Sequence, residues 1–139
     1  MAPYEKPLPQ PDEDTKGFWE GCRQHQLVIQ KCQECNALRH PPRRMCPRCH
    51  SRDLTWEKVS GRGTLYSFIV IHQPVLSSFH SDAPYNVVQV ALEEQADVIL
   101  TGNVVGCSND ELRVGMGLEV VFDDVTEDTT IPRWRPIQS

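Results

Sequence analysis

The chain has 139 residues, 39% of them apolar and 24% charged, with a net charge of −5. That length suits one average domain or two very small ones, and a module of about fifty residues without a staple buries too little surface to hold itself together. No apolar run is long enough to cross a membrane, and "MAPYEKPLPQPDEDTK" lacks the apolar core of a signal peptide, which predicts a cytoplasmic protein without a membrane partner whose six cysteines ligate metal rather than form disulfides.

Residues 1–11 hold four of the eleven prolines and read as an extended arm. Acids at 12–14 suit a helix N-terminus. Phe18, Trp19, Cys22 and Leu27 then fall near one face at helical spacing, which predicts a helix over roughly 14–25. Gly17 and Gly21 weaken it, so it requires a packing partner. Arm and helix make up residues 1–30.

"LVIQKC" is a short strand that runs into the densest chemistry of the chain, "KCQECNALRHPPRRMCPRCH" at 31–50. Cys32 and Cys35 form one pair two residues apart, and Cys46 and Cys49 another. That gap lets backbone amides turn toward the sulfurs while both thiolates face one point, and two such knuckles complete a tetrahedron. Four thiols fill the site, so the spacing predicts a closed, structural zinc centre, with iron as the alternative ion. A redox dithiol needs only one pair, usually within a βαβ pattern. His40 and His50 read as solvent-facing loop histidines. Cys22 and Cys107, outside both pairs, read as small hydrophobes. The ribbon is taken as residues 31–59.

"DLTWEKVSGRG" follows and ends in a glycine break. "GTLYSFIVIHQPV", "YNVVQVALEE", "DVILTGNVVG", "LEVVFDDV" and "TTIPRWRP" then read as five strands. "EQAD" makes a hairpin link, and "NDELRVG" one helical turn ending at Gly115. Five short strands over 60–139 predict a closed antiparallel barrel of the oligonucleotide/oligosaccharide-binding (OB) type. The fold class is therefore mainly β: N-terminal helix, rubredoxin-like zinc ribbon, five-stranded OB barrel.

No catalytic constellation stands out. There is no nucleophile elbow, no phosphate-binding glycine loop and no histidine pair with a third metal ligand. His72, Gln73 and the "SSFHSDAPY" loop, with His80 near Asp82, read as a flexible solvated connection.

Several motifs together resemble a known family: "FWEGCRQHQLVIQKC", "CQEC", "PPR", "CPRC", "SGRGTLYSF", "DAPYNVVQVAL", "GNVVGC", "LRVGMGLEVVFDDV" and "IPRWRP". In this order they resemble, over nearly the whole chain, the bacterial and archaeal proteins that join a rubredoxin-like zinc ribbon to an OB-fold (domain of unknown function thirty-five). Asn36 and His50 stand where that family often has glycine after each knuckle. Asn tolerates positive φ and His less so, which predicts slight strain at the second knuckle. The resemblance implies an accessory subunit without catalytic residues of its own. Its partner would be a thiolase-superfamily protein acting on acyl-CoA thioesters, as thiolase or aldolase, in a heterotetramer.

Charge separates this reading from a single-stranded nucleic-acid module, which the two folds also suggest. Residues 1–59 carry ten Lys+Arg and eight Asp+Glu, whereas 60–139 carry four Arg and eleven acids. An OB groove tracking single strands needs positive charge, so nucleic acid is not the expected partner. The basic ribbon better suits CoA phosphates or an acidic partner patch, through Arg39, Arg43, Arg44 and Arg48 displayed on one surface. Phe18 and Trp19 on the helix, and Trp134 between Arg133 and Arg135, are expected as exposed anchors of the partner interface.

Overall fold

The computed structural model describes residues 4–137; residues 1–3 of the expected arm and 138–139 of the expected barrel unit lie outside that range. Helix α1 (Lys16–Arg23) is followed by β1 (Val28–Cys32), β2 (Leu38–Arg39), β3 (Leu54–Lys58), β4 (Arg62–Ile71), β5 (Tyr85–Leu92), β6 (Ile99–Gly102), β7 (Gly117–Asp124) and β8 (Thr130–Pro136). Short 3-10 turns at Ser77–Asp82 and Asn109–Glu111 interrupt the barrel. A three-stranded sheet runs β2-β1-β3 and a five-stranded sheet runs β6-β5-β4-β7-β8. The fold is thus mainly β, a zinc-ribbon sheet followed by an OB barrel, as the strand pattern predicts. Among the described residues no helix is long and apolar enough to cross a membrane.

Helix α1 is shorter than its apolar spacing predicts. Asp12 Oδ1 accepts the backbone N–H groups of Asp14 and Thr15, each at 2.9 Å. Residues 12–15 therefore form an Asx turn, a local alternative to helix, and the helix starts only at Lys16. The Thr15 N–H, then that of Asp14, holds the Asp12 carboxyl below its ordinary value. The two weakening glycines have their partners. A Cβ on Gly17 would collide with the Trp56 indole of β3, and one on Gly21 with Val28 of β1. Helix propensity is given up so that α1 can lie close against the ribbon.

The ribbon sheet begins at Val28, so a division at residue 30 cuts through β1. Ribbon and barrel share one core. Phe18, Cys22, Leu27, Ile29 and Leu38 belong to the same buried cluster as Leu65, Val88, Val90, Leu118 and Trp134.

The barrel closes where β6 meets β8. Val104 and Trp134 form a parallel bridge. The Trp134 N–H donates to Asn103 O at 2.9 Å, and the Val105 N–H to Trp134 O at 2.8 Å. Buried Asn86 supports this seam from β5, with its Nδ2 on Val104 O at 3.0 Å and its Oδ1 accepting the Val104 N–H at 2.7 Å.

This closure corrects the expected exposed anchors. Trp134 is 1% exposed and Phe18 is buried too. Strand alternation is the reason. Trp134 points into the barrel, while Arg133 and Arg135 pair with Asp123 and Glu119 of β7, both at 2.8 Å. Trp19 is half-buried and packs edge-on against Phe18. The 72–84 connection, expected to be unstructured, carries a 3-10 turn, and Asp82 pairs with Lys6 instead of His80.

Replacing Trp134 by Ala removes the largest fully buried side chain. It is expected to destabilise the isolated chain by about 3–5 kcal/mol, read as a lower denaturation midpoint by circular dichroism. An exposed anchor would leave that midpoint unchanged.

Candidate metal centre

Each cysteine pair sits on a knuckle of the same design. In the first, the Asn36 N–H donates to Cys32 O and the Cys32 N–H to Ala37 O, both at 2.9 Å. In the second, the His50 N–H donates to Cys46 O at 2.9 Å and the Cys46 N–H to Ser51 O at 2.8 Å. The turn requires a left-handed residue after the second cysteine, and Asn36 (φ 62°) and His50 (φ 64°) occupy it. The positive φ expected at both positions is present, and His50 carries the greater steric cost. Pairing of Cys32 with Leu54 across β1 and β3 fixes where the first knuckle leaves the sheet.

The four sulfurs lie within 4.8 Å of one another. Cys32 Sγ to Cys49 Sγ is 3.5 Å and Cys35 Sγ to Cys46 Sγ is 3.7 Å. A tetrahedron with metal–sulfur bonds of about 2.3 Å has edges of about 3.8 Å, so the cluster fits one ion. Cys32 and Cys46 are buried and Cys35 and Cys49 face out.

The backbone prepares these sulfurs for ionisation. The Cys35 N–H, aided by that of Glu34, lowers the Cys32 thiol. The Cys49 N–H, aided by those of Arg48 and by the Arg39 side chain, brings Cys46 down to about 5. At Cys49 the Ser51 N–H pulls down, but the sulfurs of Cys32, Cys46 and Cys35, with burial, outweigh it and push the thiol up to about 12. Thiols this close cannot all lose protons unless a cation takes their place. Cys22, by contrast, is pushed up to about 12 by burial alone, an inert core thiol. Burial and the nearby Glu111 also raise Cys107.

The arginines do not form the single displayed patch that the sequence suggests. Arg39 is buried, and its Nε donates to Gln30 Oε1 at 2.7 Å. Its place in β2, paired with Gln30 of β1, turns it inward. Arg44 pairs with Asp14 at 3.2 Å and Arg48 with Asp97 at 2.9 Å, which ties the metal loop to the helix approach and to the β5–β6 link. Arg43 stays exposed, and among the described residues its guanidinium has no bonded partner. His40 is also corrected. It packs against the Phe18 ring, centroids 5.0 Å apart, and burial lowers its pKa. His50 is exposed, as expected.

Two glutamines that sequence reasoning passed over do much of the positioning. Gln30 Oε1 accepts both Arg39 Nε and the Arg43 N–H, at 2.7 and 2.8 Å. Gln95, in the "EQAD" link, clamps the ribbon to the barrel. Its Oε1 accepts the Leu38 N–H at 2.9 Å and its Nε2 donates to Leu38 O at 2.8 Å. Strand alternation gave no signal for Gln30, because Ile29 beside it is buried as well. A cleft of about 400 Å³ lies where helix, ribbon loop and barrel meet, lined by Trp19, His40, Pro41 and Pro132 among others.

Comparison with known proteins matches residues 19–55 to the ChsH2 rubredoxin-like zinc ribbon domain and residues 56–123 to the ChsH2 C-terminal OB-fold domain. A DUF35 domain-containing scaffold protein of Methanothermobacter thermautotrophicus is 36% identical over 83% of this chain and 86% of its own length. A probable enoyl-CoA hydratase alpha subunit of Thermomonospora curvata is 35% identical over 94% of this chain, which spans only 40% of that relative's length. The 3-oxo-4,17-pregnadiene-20-carboxyl-CoA hydratase alpha subunit of Mycobacterium tuberculosis is 31% identical over 92% of the chain and 39% of its own length. The solved structure described as "Ltp2-ChsH2(DUF35) aldolase" superimposes with TM-score 0.84 at 36% identity, covering 92% of this chain and 98% of that one.

Three outcomes are expected at the cluster. Ligands must be deprotonated to bind, so metal affinity falls as pH falls; acidification should release one ion per chain, measured by elemental analysis after buffer exchange. Cys46→Ser should remove that ion at neutral pH and expose β1–β3 amides to hydrogen exchange before those of the barrel. His50→Gly, which relieves a left-handed side chain, should raise stability by about 1 kcal/mol in the metal-loaded protein.

Proposed function

The chain belongs to the DUF35 family of zinc-ribbon and OB-fold proteins, and we propose that it is a non-catalytic, zinc-binding accessory subunit of a thiolase-superfamily enzyme. That enzyme, a thiolase or retro-aldol lyase working in the cytoplasm, acts on acyl-CoA thioesters. This subunit supports its partner's folding, CoA binding and activity within a heterotetramer. The likeness to the ChsH2 chain of an aldolase complex, over nearly the full length of both, carries the reading. The cysteine tetrahedron supports it as a structural element with no open coordination position.

An uncharged apolar stretch of the surface supports a partner-binding role. Residues 63–81 contain no Lys, Arg, Asp or Glu in a chain that is 24% charged. Within them Tyr66, Ile69, Val75 and Leu76 are exposed, Val75 by 98%. Strand β4 pairs with β7 only at Arg62–Thr64, so beyond Leu65 one edge of β4 has no strand beside it among the described residues. An uncharged apolar edge of this kind invites association and is rarely left bare in a protein that works alone. Half-buried Trp19 and exposed Arg135 and Arg43 remain available as further contacts, and Arg43 suits a CoA phosphate or a partner carboxylate.

A second reading keeps the accessory role and changes the partner to a hydratase subunit, favoured by the 35% identical hydratase relative. Co-expression with each candidate partner, followed by affinity purification and assay of thiolysis, retro-aldol cleavage and hydration, tests both. A stable complex that cleaves a carbon–carbon bond supports the first reading, and one that only hydrates supports the second. Ile69→Lys and Val75→Asp are expected to weaken the complex by about 10–100-fold without changing the melting temperature of the free subunit. Failure of the unmutated chain to bind any such enzyme overturns the proposal.

A further inference from the structure

Arg39 is a buried cation without an anion. It is 8% exposed, and its one bonded partner is the neutral amide of Gln30. Its Nη2 is the buried side-chain nitrogen or oxygen that lacks a bonded partner among the described residues. None of the ion pairs formed by the other arginines includes it. A guanidinium cannot shed its proton, and a buried charge is tolerated only beside a compensating one.

The compensating charge lies in the ribbon itself. Arg39 ends β2 and pairs with Gln30 of β1, two residues before Cys32 on the same strand, and it is among the groups that lower the Cys46 thiol. Four thiolates on a divalent ion leave two negative charges, gathered at a site with Cys32 and Cys46 buried. Lys31, Arg44 and Arg48 are engaged by Glu57, Asp14 and Asp97.

We propose that Arg39 is the positioning residue of this metal centre: buried and held by Gln30, its guanidinium offsets the negative charge that the metal–thiolate cluster carries on the ribbon's β1 side. The ion draws electrons from the sulfurs, and Arg39 keeps that charge tolerable inside the fold without touching the metal. Gln30 sets the aim, because the same oxygen that holds Arg39 also anchors the Arg43 backbone at the start of the second knuckle. Such outer groups around metal ligands typically contribute about 10–100-fold to metal affinity.

The test compares neutral and charged replacements on the full chain loaded with Zn²⁺ or with Co²⁺ as a coloured probe. Arg39→Met is expected to weaken metal binding by about 10–100-fold in competition with a chelator. Its cobalt–thiolate charge-transfer band should move to lower energy, because sulfur lone pairs lose a positive neighbour. Arg39→Lys should recover most of the affinity and of the band position. Arg39→Gln is the second neutral variant should Met prevent folding. If neutral variants bind metal as tightly as the unmutated chain, the proposal is overturned. It is equally overturned if Lys fares as badly as Met and Gln, or if all three fail to fold in saturating Zn²⁺, since the side chain's packing would then be the cause. Neutral variants that fail where Lys folds and binds metal support the charge role.

Discussion

Four sulfurs held within 4.8 Å form an arrangement that only a cation makes stable in its ionised form. Two unit charges about 4 Å apart repel by about 4 kcal/mol at the effective dielectric of a protein surface. Four thiolates would have six such pairs. Backbone N–H groups lower Cys32 and Cys46, while the neighbouring sulfurs raise Cys49. The cluster is thus poised to trade protons for a metal. The rest of the ribbon depends on that trade, because its sheet contributes few core residues of its own and β2 is two residues long.

The metal's influence passes to the barrel through few contacts. Gln95 makes both hydrogen bonds with Leu38, and Arg48 pairs with Asp97 two residues further along the same link. Helix α1 seals the other side, with His25 at its end stacked on Phe122 and bonded to Asp124 at 2.9 Å. The barrel closes on Trp134, buried at the seam with Val104. A staple at one end and a packed tryptophan at the other therefore make two differently stabilised units that share one core.

Much of this was written plainly in the sequence. The spacing of Cys32, Cys35, Cys46 and Cys49 foretells the tetrahedron, because two-residue gaps allow little else. The positive φ at Asn36 and His50 was legible only through the resemblance to a family that often has glycine at both positions. The five barrel strands follow from their alternation. Trp134 misled because its neighbours were read as composition, arginines and prolines together, when strand period already sends Arg133 and Arg135 to one face and Trp134 to the other. The start of α1 was obscured by an Asx turn that competes locally with helix. Arg39 could not be read at all, since its burial comes from a pairing with Gln30 across the sheet, and only folding brings the two together.

The burial of Arg39 and the pairing of its neighbours change what the basic ribbon offers a ligand. Read as sequence, Lys31, Arg39, Arg43, Arg44, Arg48 and Arg52 make a positive surface. In the fold Arg39 turns inward, and Glu57, Asp14 and Asp97 take up Lys31, Arg44 and Arg48. An incoming phosphate must compete with those carboxylates, although exposed pairs of this kind hold by only about 1 kcal/mol or less. Arg43 alone among the four arginines of the loop meets a ligand without such competition. A polyanion that needs a row of cations gains little here, and the acidic barrel repels it further. A single phosphate or carboxylate, brought close by an apolar contact along β4, asks much less of the charge that remains.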